Sequence, residues 1–204
     1  MLQLVHLGYC CNTFEIVRRQ LGIQGPTGLF EYFTTENLSI ITDVISAIKS
    51  GIDSSIVNGD NERVTVLNNN MRSHHYSVDD FKERFKRPAA RFLDLVKSDE
   101  DCIFFRIEIF RSECSKATKE EVERFYQVIR SINPTRRIRF LLVGVQDQGV
   151  PIIVDEPYTE FQFHHRFFKA SECNGDSYMR DNPKLCADFR SYLDEISPLD
   201  TNTV

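Results

Sequence analysis

Two apolar runs, one on either side of a capped helix, constrain this chain most. Cys102-Ile-Phe-Phe-Arg-Ile-Glu-Ile-Phe110 and Ile138 to Val145 are almost continuously hydrophobic. Strands that alternate apolar with polar residues expose one face to water, whereas runs like these suit strands covered on both faces, as in a parallel sheet. Between them, Thr118-Lys119-Glu120-Glu121 has the spacing of a capping box, and Val122, Phe125 and Ile129 follow on one helical face. Asn133-Pro134 ends that helix. A strand, a crossover helix and a second buried strand make a βαβ unit, so an α/β layer is expected.

The rest of the chain supplies compatible parts. Leu2 to Leu7 reads as a short buried strand ending at Gly8. Asn12 and Glu15 mark a helix with Phe14, Val17 and Leu21 inward and Gly22 behind it. A loop, Gln24 to Gly28, leads into the aromatic run Leu29-Phe30-Glu31-Tyr32-Phe33. A helix is expected from Glu36 to Ser50, faced by Leu38, Ile41, Val44, Ile45 and Ile48 and stopped by Gly51. Asn58 to Asn61 reads as a turn. Arg63 to Leu67 and Met71 to Tyr76 read as a hairpin, with Val64 and Val66 alternating against Thr65. Ser77 caps a further helix with Asp79 and Asp80 in its first turn, and Phe81 and Phe85 lie on one face. Pro88 either kinks it or begins another, faced by Phe92, Leu95 and Val96. Pro151 to Val154 and Phe161 to Phe168 are shorter strand candidates. Asn182-Pro183 opens a last helix with Leu185, Phe189, Tyr192 and Ile196 inside. The expected fold is therefore α/β: a mainly parallel sheet with helices packed on it, plus a small β-hairpin insertion. Residues 1–198 form one domain and 199–204 a frayed C-terminal tail.

Composition narrows the function classes. A formal charge of −5 argues against a nucleic-acid or anionic-membrane surface. No apolar run approaches the ~20 residues of a membrane span, and the first residues carry neither a basic segment nor a long apolar one. The six cysteines, Cys10, Cys11, Cys102, Cys114, Cys173 and Cys186, are irregularly spaced, and two are adjacent. Reduced thiols in the cytoplasm are expected, with no metal and no cofactor.

Cys11 stands immediately before the predicted N-cap Asn12. At a helix N-terminus, unpaired N–H groups and the macrodipole favour an anion, and thiol pKa values fall from ~8.5 to between ~3.5 and ~7.5. Such a sulfur can attack a carbonyl while neighbouring N–H groups hold the oxyanion. The competing reading is a small packing thiol at a strand–helix junction. Candidate bases are His74-His75, at the end of the hairpin, and His164-His165 in an aromatic strand; His6 reads as a core or edge histidine. Glu31, framed by aromatics, is a candidate partner for an imidazole or for Arg18 or Arg19. Arg106 interrupts the apolar strand, with Glu108 on the same face as an available partner.

The block Leu7-Gly8-Tyr9-Cys10-Cys11, followed by Arg18-Arg19-Gln20-Leu21-Gly22, resembles a papain-like cysteine peptidase family. Its members open with serine-leucine-glycine-x-x-cysteine and a leucine-arginine-arginine helix. The family's proline-phenylalanine-aspartate-tryptophan motif resembles Leu29-Phe30-Glu31-Tyr32, with glutamate for aspartate and no leading proline. Ser73-His74-His75-Tyr76, Arg91-Phe92-Leu93 and Ile103-Phe104-Phe105-Arg106 follow in the family's order over about residues 3 to 145. The resemblance implies a nucleophile at Cys11, a base at His75 or His74 and an acid at Glu31. Gly8, Tyr9, Asn12 and Arg106 make the expected substrate-binding set, and the substrate would be a peptide, an isopeptide or a glycan-linked group. Two alternatives stand beside it: a nucleotide-sugar or glycan transferase binding phosphate at the same helix start, and an inactive interaction domain. The oligomeric state is left open.

Overall fold

The computed structural model describes residues 3–8, 28–31, 33–35, 37–51, 53, 56–59, 64–67, 71–73, 77–110, 117–146 and 162–169, together with 187, 190, 191 and 194. In chain order the elements are β1 (Gln3–His6), β2 (Thr34–Thr35), α1 (Leu38–Ser50), β3 (Val57–Gly59), β4 (Val64–Val66) and β5 (Met71–Ser73). They are followed by α2 (Val78–Lys97), β6 (Cys102–Phe110), α3 (Lys119–Ile132), β7 (Arg139–Gln146) and β8 (Gln162–Lys169).

The two apolar runs are β6 and β7, paired in parallel over their length. The sheet continues on both sides in the order β1-β6-β7-β8, and every pairing in it is parallel. Cys102 through Arg106 are all buried, as expected of a strand covered on both faces. The α/β architecture read from the sequence is the one observed.

Helix starts follow the capping chemistry. The Asn37 side chain accepts the Ile40 N–H, Ser77 accepts that of Asp80, and the Thr118–Glu121 box closes reciprocally. The other Glu121 carboxylate oxygen accepts the Ser39 N–H at 3.2 Å, so one side chain caps α3 and fastens it to the start of α1. Pro88 does not divide its helix: α2 runs unbroken through it. Leu93, rather than the expected Leu95, joins Phe92 and Val96 in the core. The end of α2 is held from outside by the Asn133 amide, which donates to the Val96 and Lys97 carbonyls, and by Arg136, which donates to those of Leu95 and Ser98.

The hairpin is β4-β5, within a small antiparallel sheet ordered β2-β5-β4-β3. Asn58 and Gly59, expected in a turn, are strand residues paired with Thr65 and Val64. The expected alternation at Val64 to Val66 gives way to burial of all three residues, because both sides of β4 are covered. Tyr76 and the strand candidate at 151–154 lie outside the described residues, as does the helix expected after Asn12. Of the last helix, Ala187, Arg190, Ser191 and Asp194 are helical and exposed. Their spacing complements the inward set expected there.

The sequence has sixteen phenylalanines and no tryptophan, and among the described residues nine phenylalanines are buried. Phe30, Phe92, Phe104, Phe125 and Phe140 form a continuous chain of edge-on contacts from the segment before β2 through α2, β6 and α3 to β7. Among the described residues, no helix is long and apolar enough to cross a membrane.

Candidate functional site

Ligands of open α/β sheets collect beyond the C-terminal ends of the strands, and β1 ends at His6. The backbone then passes through Leu7, whose N–H donates to the Phe105 carbonyl at 2.8 Å, into Gly8 at φ 70°. That left-handed conformation suits glycine. A Cβ on Gly8 would sit 2.8 Å from the Thr35 hydroxyl oxygen, so the close approach of β2 demands glycine as well.

Arg106 holds this junction. It is wholly buried at 0 % exposure. One guanidinium nitrogen donates to the Leu7 carbonyl at 2.9 Å and to the Thr35 hydroxyl at 2.8 Å, and another donates to the Thr35 carbonyl at 3.1 Å. A single side chain thus ties the exit of β1 to β2 and joins the two sheets. Arg106 is therefore a buried framework group here and not part of a solvated stripe.

His6 stacks at a tilt on Phe105, 5.1 Å between ring centres. Burial, reinforced by the Arg106 charge, lowers its pKa to about 3, so it stays neutral at pH 7 and makes a poor base. His164 is placed by register. His6 aligns with Phe105, Phe105 with Leu141, and Leu141 with His164. Three strand spacings of about 4.8 Å put its backbone about 14 Å from β1, beyond direct reach of a group at that strand's exit. His165 is the next residue along the same strand.

Glu31 is the predicted acid that the structure does place. It is 5 % exposed, three residues before β2, and its carboxylate lies over Gly28, where a Cβ would come within 2.9 Å of it. It forms part of the wall of a cleft of about 460 Å³ between Gly28, Leu29, Glu31 and Phe33 on one hand and α2 on the other. Arg84, Arg87 and Arg91 of α2 also line it, together with Phe81 and Pro88 of the same helix. Sequence reading missed these arginines as a group, although their three- and four-residue spacing signals one helical face.

Cys11, Tyr9, Asn12, His74 and His75 lie outside the described residues, as do Arg18 and Arg19. Gly8, Arg106 and Thr35 are brought together, and Glu31 stands on the segment entering β2. The thiol that is described, Cys102, is a buried free cysteine whose pKa burial raises, against the pull of the Arg136 guanidinium 2.7 Å away. It has the character of a packing residue rather than a nucleophile. No three His, Cys, Asp or Glu side chains among the described residues group as metal ligands. No protein-family model, curated protein or solved structure matches the chain.

Proposed function

We propose that the chain is a thiol hydrolase or acyl-transfer enzyme of the papain-like kind it resembles, with Cys11 as nucleophile. The observation that supports this reading most is the fixed exit of β1. A left-handed Gly8, locked by Thr35 and the buried Arg106, sets the direction of the chain three residues before Cys11, at the end of the sheet where ligands gather. A buried carboxylate at Glu31, the position the resemblance assigns to the acid, supports it too.

In this reading His75 or His74 takes the Cys11 proton as the sulfur attacks an amide, ester or isopeptide carbonyl. The imidazolium returns that proton to the leaving amine or alcohol as the C–N or C–O bond breaks. Water or an acceptor nucleophile then resolves the thioester and frees the thiol. Glu31 orients the imidazole, and no cofactor enters. A reducing compartment such as the cytoplasm suits a free reactive thiol. The nucleotide-sugar alternative has less support, because Arg106, one of its cations, is enclosed in the framework.

Alkylation by iodoacetamide between pH 5 and 9, mapped by mass spectrometry, tests the reading. Cys11 is expected to react at pH 6 about tenfold or more faster than free cysteine, consistent with a depressed thiol pKa. Substituting His74 or His75 by alanine is expected to move that profile to higher pH. Labelling of Cys11 no faster than free cysteine at every pH overturns the proposal.

A further inference from the structure

The stretch of α2 from Lys82 to Arg91 reverses the charge of the molecule around it. Lys82, Arg84, Lys86, Arg87 and Arg91 stand against one acid, Glu83, in a chain whose formal charge is −5. A basic run on a helix is most often a solvated face. Here three of the five cations, Arg84, Arg87 and Arg91, border a concave cleft of about 460 Å³. That volume lies within the range of small-molecule sites. The cleft lining combines two chemistries: Leu29, Phe33, Phe81 and Pro88 are apolar, and Arg84, Arg87 and Arg91 bring guanidiniums from α2. Arg84 to Arg91 covers two helical turns, about 10 Å.

The same wall carries three carboxylates, Glu31, Asp80 and Glu83, which formally balance its three guanidiniums, so binding an anion depends on the donors the guanidiniums can still offer. The Asp80 carboxylate accepts the Ser77 hydroxyl at 2.7 Å, in the first turn of α2 where the helix dipole favours it. Glu83 is exposed. Glu31 is buried and folded over Gly28. Each guanidinium offers five N–H donors in a planar fork, so engaging one carboxylate leaves donors for a second oxyanion.

We infer that the cleft lined by Gly28, Leu29, Glu31, Phe33 and α2 binds a small organic oxyanion, a phosphate or carboxylate carried on an apolar or aromatic body. Two neighbouring arginines converge on the anionic group while Phe33, Phe81 and Leu29 cover the body. The inference does not depend on Cys11 being a nucleophile, and its test leaves that residue intact.

Titration calorimetry of the whole chain with phenyl phosphate, phenylacetate, inorganic phosphate and benzyl alcohol tests it. Phenyl phosphate or phenylacetate is expected to bind about tenfold or more tightly than the neutral benzyl alcohol, and Arg87→Gln or Arg84→Gln to weaken that anion about tenfold, by loss of charge-assisted hydrogen bonds. Whichever anion binds more tightly identifies the headgroup. Lys49→Gln, a lysine on α1 outside the cleft, is the control and is expected to leave affinity unchanged. Far-ultraviolet circular dichroism confirms that each variant is folded. The inference is overturned if neither aromatic anion binds better than benzyl alcohol, or if folded Arg84→Gln and Arg87→Gln both bind like the parent. Inorganic phosphate binding as tightly as phenyl phosphate overturns the role given to the apolar wall.

Discussion

Replacing Gly8 by alanine probes the junction on which the proposed function depends. Two costs are expected, and they are separable. Placing alanine at φ 70° costs about 1–2 kcal/mol for the left-handed backbone. The added methyl would then lie 2.8 Å from the Thr35 hydroxyl oxygen and 3.3 Å from both Thr35 Cγ2 and Ile41 Cδ1. Thr35 is buried and cannot turn aside without losing the Arg106 hydrogen bond to its hydroxyl, so overpacking adds about 1–3 kcal/mol. The total is about 2–5 kcal/mol, a large part of an ordinary domain's stability. Urea unfolding of four proteins measures it: parent, Gly8→Ala, Thr35→Ala and the double variant, compared at a common slope. In the Thr35→Ala background both Thr35 contacts vanish, and Gly8→Ala is expected to cost only its backbone share plus the Ile41 contact. The coupling between the sites is then about 1–3 kcal/mol. A Gly8→Ala cost below about 0.5 kcal/mol, or an equal cost in both backgrounds, would refute the account of this junction.

Arg106→Leu removes the hydrogen bonds to Leu7 and Thr35 and strands their carbonyls in a buried place; a loss of about 3–5 kcal/mol is expected by chemical denaturation, and a change under 1 kcal/mol would sink the framework role. His6 makes stability depend on pH. Its folded pKa of about 3 lies below the unfolded value of 6.5, so between these values the unfolded chain takes up a proton that the folded one refuses. Both states hold neutral imidazole above that window, and stability falls as pH drops through it, by about 2 kcal/mol from pH 7 to pH 5. His6→Phe should lose that much less than the parent over the same interval, and parallel pH profiles would count against the buried neutral imidazole. Thr118→Ala opens the capping box of α3 at about 1 kcal/mol, while Glu121→Ala also releases the Ser39 N–H of α1 and is expected to cost about 2 kcal/mol; equal thermal shifts for the two would contradict the bridging role.

The sequence by itself determined the elements whose signals are local. The near-continuous hydrophobicity of β6 and β7 follows from burial on both faces, and Thr118 and Ser77 mark helix starts because their side chains meet orphan N–H groups three residues away. Periodicity also exposed the inner faces of α1 and α3. It failed at Leu95, where Leu93 turns inward instead, and at Thr65, because the pattern of one strand does not say what covers its second side.

Only the tertiary structure decided the rest. The hydrogen bonds that Arg106 makes to Leu7 and Thr35 reach 99 and 71 residues along the chain, beyond any local pattern. His6 is neutral because burial keeps it from water and, to a lesser degree, because a cation from another strand lies near it. Glu31 faces arginines on a helix that begins almost fifty residues later. Capping and periodicity act within one turn or one strand, whereas pairing of buried polar groups depends on which segments the folded chain stacks together. A charge taken out of water must find its partner wherever packing brings one, and that choice is made across the whole domain.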